Sequence, residues 1–205
     1  MLCLKVPTDA AWAAAAMRDV DAVLVDHAHC EMKAASNALS LATRHPSDAE
    51  LVTALTDLAR EEIEHFQRVF AMLVERRITL GPPPVDTYAA ELRKAAKALP
   101  LEGAGAGRLV DRLLVGALIE ARSCERFKLL GDATADDPAR EGEHALWTEL
   151  LAAEARHYRT FVDLAERAAG GPVDARLDRL AAAEAEIVQT LAQKAGEGSR
   201  ATIHG

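Results

Sequence analysis

Aromatic residues are scarce in this chain. Phe, Trp and Tyr make up 4% of its 205 residues, although half of all residues are hydrophobic. An alanine-rich apolar fraction of this kind suits close-packed helices better than sheets, which draw on aromatic and β-branched side chains. Period-two alternation of useful length is absent too, which removes the half-buried strand as an organising element. Cysteine is equally sparse. Cys3, Cys30 and Cys124 are odd in number and contain no Cys-x-x-Cys pair, so neither a disulfide framework nor a zinc ribbon is expected. Cys30 and Cys124 read as small buried residues or as parts of a pocket wall. Long apolar runs are missing: the uncharged stretch Leu113–Ile119 is far too short to span a bilayer. The opening MLCLKVPTDA lacks the basic-then-apolar layout of a secretion signal. The expectation is a soluble, cytoplasmic protein that does not engage a membrane. Positive charge is also in deficit. A net charge of −8 argues against broad, nonspecific nucleic-acid binding but leaves room for a local basic patch.

What is present is helical punctuation in a chain long enough for one substantial core, so residues 1–205 are expected to form a single domain. Thr8-Asp9 can cap a short leading helix. A long helical pattern runs over about 19–44 and stops before Pro46. Ser47 followed by Glu50 is a capping-box signature for a second helix, about 48–77. Gly81-Pro82-Pro83-Pro84 ends it, and a short amphipathic helix follows at about 86–99. Gly103, Gly105 and Gly107 mark the loop before a third long helix, about 108–130. Gly131 to Pro138 reads as a polar turn. A fourth long helix covers about 140–169 and stops at Gly170-Gly171-Pro172, and a more polar one covers about 174–195. The tail after Gly196 is expected to be loose. Short links within two helix pairs and a long connection between them give the one-crossover order of a ferritin-like four-helix bundle, with extra short helices and a C-terminal helix.

Chemistry enters through spacing. Glu62-Ile63-Glu64-His65 lies in the second long helix and Glu154-Ala155-Arg156-His157 in the fourth. In each, Glu and His stand three residues apart, on one face about a turn from each other. The first long helix offers Glu31 on a face with Leu24, Ala28, Ala35 and Ala38. The third offers Glu120 near Leu113, Gly116 and Ala117. A carboxylate in such a stripe is costly to bury unless it is paired or ligates a metal. Four carboxylates and two imidazoles, distributed as one Glu or one Glu-x-x-His per helix, is the pattern of di-iron and di-manganese bundles. Carboxylates can bridge two ions and offset their charge, and imidazoles complete the shell of a borderline metal. The candidate ligands, and candidate catalytic residues, are therefore Glu31, Glu62, His65, Glu120, Glu154 and His157.

A third match, Glu141-Gly142-Glu143-His144, starts 13 residues before Glu154, a rotation of about 220° that points it elsewhere. It reads as solvated surface. The spacing from Glu31 to Glu62 is 31 residues and that from Glu120 to Glu154 is 34, a near-repeat of helix pairs. Alternatives remain at this level. Glu61 or Glu64 could point inward in place of Glu62, Glu125 could replace Glu120, and His27 or His29 could replace Glu31. His27, one turn before Glu31, could instead orient that ligand. His45 and His204 read as bystanders.

The strings around these residues carry a family resemblance. Asp26-His27-Ala28-His29-Cys30-Glu31, Glu61-Glu62-Ile63-Glu64-His65-Phe66, the third-helix run from Leu114 through Glu120 to Phe127, and Glu154-Ala155-Arg156-His157-Tyr158 resemble the MiaE family. These are the tRNA 2-methylthio-N6-isopentenyladenosine hydroxylases. The third-helix run is the most specific part, and the resemblance extends to about Ala169. It implies a non-haem di-iron monooxygenase that uses O2 and two electrons from an external donor, an unidentified redox partner protein, to hydroxylate the isopentenyl group on the adenosine next to the tRNA anticodon. It implies two iron ions, held by the six residues above, in a monomer or small homo-oligomer. The small residues Ala28, Ala34, Ala35, Ala117 and Ala121 could leave room for a prenyl chain or simply pack helices closely. Arg122, Arg126, Lys128, Arg156 and Arg159, with Arg93, Lys94 and Lys97, are candidates for a local RNA-facing patch. Competing functions are a di-iron oxidase or hydroxylase for another small apolar substrate, and iron storage or peroxide scavenging. A purely structural bundle would leave six buried polar residues unexplained.

Overall fold

Aspartates start most of the helices. In the computed structural model, which describes residues 2–101 and 107–194, the Asp19 carboxylate accepts the Ala22 N–H at the head of a 25-residue helix, α2 (Val20–Arg44). Asp48 does the same for α3 (Ala49–Glu75) by accepting the Leu51 N–H at 3.1 Å. Asp86 does so for α4 (Thr87–Ala98). Each carboxylate satisfies an amide that the first helical turn would leave orphaned. The second long helix is therefore capped by Asp48 rather than by Ser47. Glu50 then lies in the first turn, where the helix dipole favours negative charge. Asp9 heads the short leading helix α1 (Ala10–Arg18), with its side chain accepting the Ala11 N–H.

The remaining elements are α5 (Arg108–Thr134), a 3-10 turn at Pro138–Arg140, α6 (Glu141–Ala169) and α7 (Asp174–Lys194). Among the described residues there is no strand, and no helix is long and apolar enough to cross a membrane. The glycine-marked loop at Gly103 and Gly105, the expected helix end at Ala195, and the tail with His204 lie outside the described residues. Gly170 ends α6 in the left-handed conformation (φ 71°), and the next N–H returns to the Glu166 carbonyl at 3.1 Å. One boundary differs from expectation. The third long helix does not stop at Leu130 but continues through Gly131 to Thr134. The buried Thr134 hydroxyl caps back onto the Leu130 carbonyl at 2.8 Å, and His144 Nδ1 lies 3.0 Å from the Gly131 carbonyl. The extra turn is thus held from α6.

The chain divides into two compact units. Arg18–Val85 contains the antiparallel pair α2 and α3. Its buried apolar positions, Val23, Leu24, Ala28, Ala35, Ala38 and Leu41 on α2 with Leu51, Leu55, Leu58, Val69 and Leu73 on α3, follow helical three- and four-residue steps. The other unit combines the residues up to Met17 with those from Asp86 onward. There α5 pairs with α6. Phe127 stacks on Trp147 at 5.8 Å between ring centroids. Gly116 lets α6 approach closely, because a Cβ there would stand 3.0 Å from the Phe161 ring.

This second unit is braced by a buried polar network. Arg122 on α5 is wholly buried and pairs with Glu184 of α7 at 2.8 Å and with Glu125. It also donates to the Thr8 hydroxyl and the Val6 carbonyl, each at 3.2 Å. The Tyr88 hydroxyl of α4 donates to Glu184 at 2.9 Å. Burial, reinforced by Glu184, pushes the Tyr88 phenol well above its ordinary range. One guanidinium therefore joins the N-terminal segment to α5 and α7, with α4 attached through Glu184. Arg126, a turn later, is buried over the Trp12 ring at 5.0 Å. Burial and the neighbouring Arg122 charge lower it to about 10. Arg122 and Arg126 are thus internal braces and are removed from any RNA-facing patch.

Replacing Glu184 by Gln keeps the side-chain volume but leaves Arg122 short of its main counter-charge. Urea unfolding is expected to show a loss of about 3 kcal/mol, the low end for a broken buried pair because Glu125 remains. A loss below about 1 kcal/mol would mean that the network does not depend on this pair.

Candidate metal centre

Each unit assembles one Glu-x-x-His with one further glutamate. In Arg18–Val85, α2 supplies Glu31 and α3 supplies Glu62 and His65. All three are buried, and Glu62 is fully so. One donor atom from each lies within 4.8 Å of the others. His65 Nδ1 stands 3.5 Å from Glu62 Oε2 and 3.7 Å from Glu31 Oε1. The three-residue step on α3 places Glu62 and His65 on one face. The antiparallel return of α2 brings Glu31 to the same level, since Glu31 lies 13 residues before Arg44 and Glu62 lies 14 residues after Asp48.

The second unit repeats the arrangement. There α5 supplies Glu120, and α6 supplies Glu154 and His157, again buried and again with donor atoms within 4.8 Å of one another. His157 Nδ1 is 3.4 Å from Glu154 Oε2. Glu154 Oε2 is shielded from solvent and accepts no hydrogen bond. A buried carboxylate oxygen in that condition is costly unless a cation faces it. Cys124, one turn after Glu120, is no soft ligand. Its thiol is turned toward the Leu151 carbonyl at 3.8 Å, and burial with the nearby Glu154 charge pushes it up to about 12. The donors are therefore carboxylate oxygens and imidazole nitrogens, a set that fits iron or manganese.

The structure decides several alternatives that spacing left open. Glu62 points inward, whereas Glu64 is exposed and pairs with Arg60 at 3.2 Å. Glu125 is engaged by Arg122 and by the Thr8 N–H, away from the Glu120 group. His29 Nε2 sits 3.3 Å from the Leu80 carbonyl and does not join the Glu31 group. His27 Nε2 lies 2.8 Å from Glu31 Oε1, with both side chains buried. That is the position of a residue that orients a ligand. The third Glu-x-x-His is not simply solvated. Glu141 is exposed, but Glu143 is buried and paired with Arg140 at 3.0 Å, and His144 braces α6 against α5. The tie to Gly131 could not be read from sequence because that stretch looked like a turn.

Solved structures include a similar chain, titled "Protein 43 with aldehyde deformylating oxygenase activity from Synechococcus". It is 36% identical, with a TM-score of 0.83 over 100% of this chain and 96% of that one. A Salmonella typhimurium protein named tRNA 2-(methylsulfanyl)-N(6)-isopentenyladenosine(37) hydroxylase is 26% identical, over 90% of this chain and 83% of its own. A Pseudomonas putida protein of the same name is 38% identical, over 91% of this chain and 87% of its own. Residues 1–196 match the family described as MiaE, tRNA-(MS[2]IO[6]A)-hydroxylase. With that match covering both carboxylate–histidine groups, the chain belongs to the MiaE family.

Proposed function

We propose that the protein is an O2-dependent di-iron monooxygenase that hydroxylates the isopentenyl side chain of 2-methylthio-N6-isopentenyladenosine next to the tRNA anticodon. The observation that carries this reading is the repeated, buried Glu plus Glu-x-x-His group in a MiaE-family chain. In this reading residues 1–205 work as one ferritin-like domain. Glu31, Glu62, His65, Glu120, Glu154 and His157 form the ligand set of a single dinuclear centre. Four carboxylates then balance the four positive charges of two divalent ions, which offsets the cost of burying them.

The two irons would supply the oxidising power for an unactivated C–H bond, which no side chain provides. The overall change balances as one O2, two electrons and two protons, with one oxygen atom entering the C–H bond and the other leaving as water. The electrons come from an external donor. The chain's own contribution is to fix the donors and to keep water out. His27, with Nε2 2.8 Å from Glu31 Oε1, would orient that carboxylate. Leu24 and Ala28 lie within two turns of Glu31 on α2, and Leu113 and Ala117 within two turns of Glu120 on α5, all fully buried, which gives each glutamate an apolar stretch of its own helix. A second reading, oxidation of a small apolar substrate such as an aldehyde, is favoured by the activity named for the 36% identical Synechococcus protein.

Anaerobic reconstitution followed by metal analysis and EPR is expected to give two irons per chain with a coupled signature. Glu120→Ala should lose both the stoichiometry and the signature. Full iron occupancy in that variant would break the ligand assignment. With O2 and a reductant, the reconstituted protein should add one oxygen atom to the prenylated nucleoside of tRNA, and iron removal should abolish this. Turnover of a long-chain aldehyde with none of tRNA would favour the second reading.

For His27, the expectation is a positioning effect. His27→Ala should weaken iron binding by about 10- to 100-fold and alter the EPR line shape, with partial recovery in His27→Gln. Unchanged affinity in His27→Ala would remove the residue from the site.

A further inference from the structure

The tRNA reading raises a physical difficulty, because a polyanion must approach a chain of net charge −8. Two of the basic residues near the ligands, Arg122 and Arg126, are internal. Of the exposed ones beside them, Arg156 donates to the Ala152 carbonyl of its own helix at 3.0 Å, and two are neutralised locally. Lys128 pairs with Asp132 at 2.7 Å, and Arg159 pairs with Asp163 at 2.9 Å. In the other unit Arg60 pairs with Glu64, and Arg76 with Asp21 at 2.7 Å.

The amphipathic helix α4 differs. It buries Tyr88, Ala89, Leu92 and Ala96 and turns Arg93, Lys94 and Lys97 to solvent. Lys94 is 3.3 Å from Glu91, but Arg93 and Lys97 have no carboxylate partner among the described residues. They are one helical turn apart on the same side. Arg108, at the head of α5, is more than half exposed and donates to the Lys97 carbonyl at 3.3 Å. Asp111, 3.7 Å from Arg108, is held more closely by Arg176 at 2.8 Å, so Arg108 is a third exposed cation near the C-terminal end of α4, only partly offset by a carboxylate. Glu120 lies twelve residues further along α5, about 18 Å at the rise of an α-helix. Several nucleotides of a phosphodiester strand cover that distance.

We propose that the outer face of α4, through Arg93 and Lys97 with Arg108 of α5, is the surface that holds the phosphate backbone of the tRNA substrate. The inference rests on the tRNA reading above. It assigns these cations to sequence-independent backbone contact, which sets the register of the RNA while the buried centre acts on the base.

The test uses the full chain and an anticodon stem-loop RNA carrying the prenylated adenosine, with binding followed by fluorescence anisotropy across a salt series. The double variant Arg93→Gln/Lys97→Gln should bind about 10-fold more weakly near 0.1 M salt, with a log–log salt slope shallower by about 1 to 2. Lys128→Gln/Arg159→Gln removes the same net charge elsewhere and should leave the slope unchanged. Both pairs of side chains are exposed, and circular dichroism verifies folding. An unchanged slope in the α4 variant, with normal binding by the parent, overturns the surface alone. Equal losses in both variants also overturn it, because net charge alone would then explain binding. Intact RNA affinity with impaired reduction by an acidic electron-transfer protein would reassign the stripe to the electron donor. No binding by the parent even at low salt overturns both this surface and the tRNA reading.

Discussion

Burying a carboxylate among alanine and leucine is among the costlier things a helical protein can do, and this chain does it at Glu31, Glu62, Glu120 and Glu154. Each unit shares the cost in the same way: two glutamates and one histidine meet at one level of an antiparallel helix pair. The geometry follows from a three-residue step on one helix and the matching depth of a single glutamate on the other. Such a cluster suits bound metal ions, and its oxygen and nitrogen donors fit iron or manganese. The small residues around the groups, Ala28, Ala35 and Ala117, belong to the same constraint, because helices carrying such sites must pack closely elsewhere to retain a core.

The brace around Arg122 is the counterpart of that site. It too is a buried charge, but it is satisfied entirely by protein atoms: Glu184, Glu125, the Thr8 hydroxyl and the Val6 carbonyl. Neighbouring stretches of α5 therefore hold acidic and basic groups in opposite conditions. Glu120 faces a group rich in carboxylates. Two residues later, about 200° around the helix, Arg122 is surrounded by its counter-charges. The brace joins the N-terminal segment and α7 to α5 and, through Tyr88 and Glu184, brings in α4. It thus anchors α5, which carries both Arg108 and Glu120 along its 27 residues.

Periodicity and spacing made the fold class legible. Glu-x-x-His on two helices and the near-equal intervals of 31 and 34 residues single out six residues, all of which the fold buries. The departures came from tertiary partners. Gly131 read as a turn because glycine is a weak helix former, but His144 and Thr134 hold that turn of α5 in place. Ser47 fits a capping box, yet Asp48 supplies a carboxylate one residue closer to the helix. Arg122 and Arg126 read as surface charge because sequence shows residue type, not depth. Their partners Glu184, Thr8 and Trp12 are distant in the chain. Glu143 shows the same effect with opposite sign.

Depth also separates the two roles that basic residues play here. A guanidinium inside the core is worth what its partners provide, and Arg122 has a full set. An exposed cation with its own carboxylate, such as Lys128 or Arg159, contributes little field beyond its neighbour. Only cations that are both exposed and unneutralised project a potential that a polyanion can sense across a Debye length of about 10 Å. On a chain of net charge −8, such residues must be few and grouped if they are to act at all. Arg93 and Lys97 meet that condition because the buried side of α4 is filled by Tyr88 and Leu92, which leaves its polar side committed to solvent. A net negative charge then favours discrimination, since it opposes RNA contacts that lack such a group of cations.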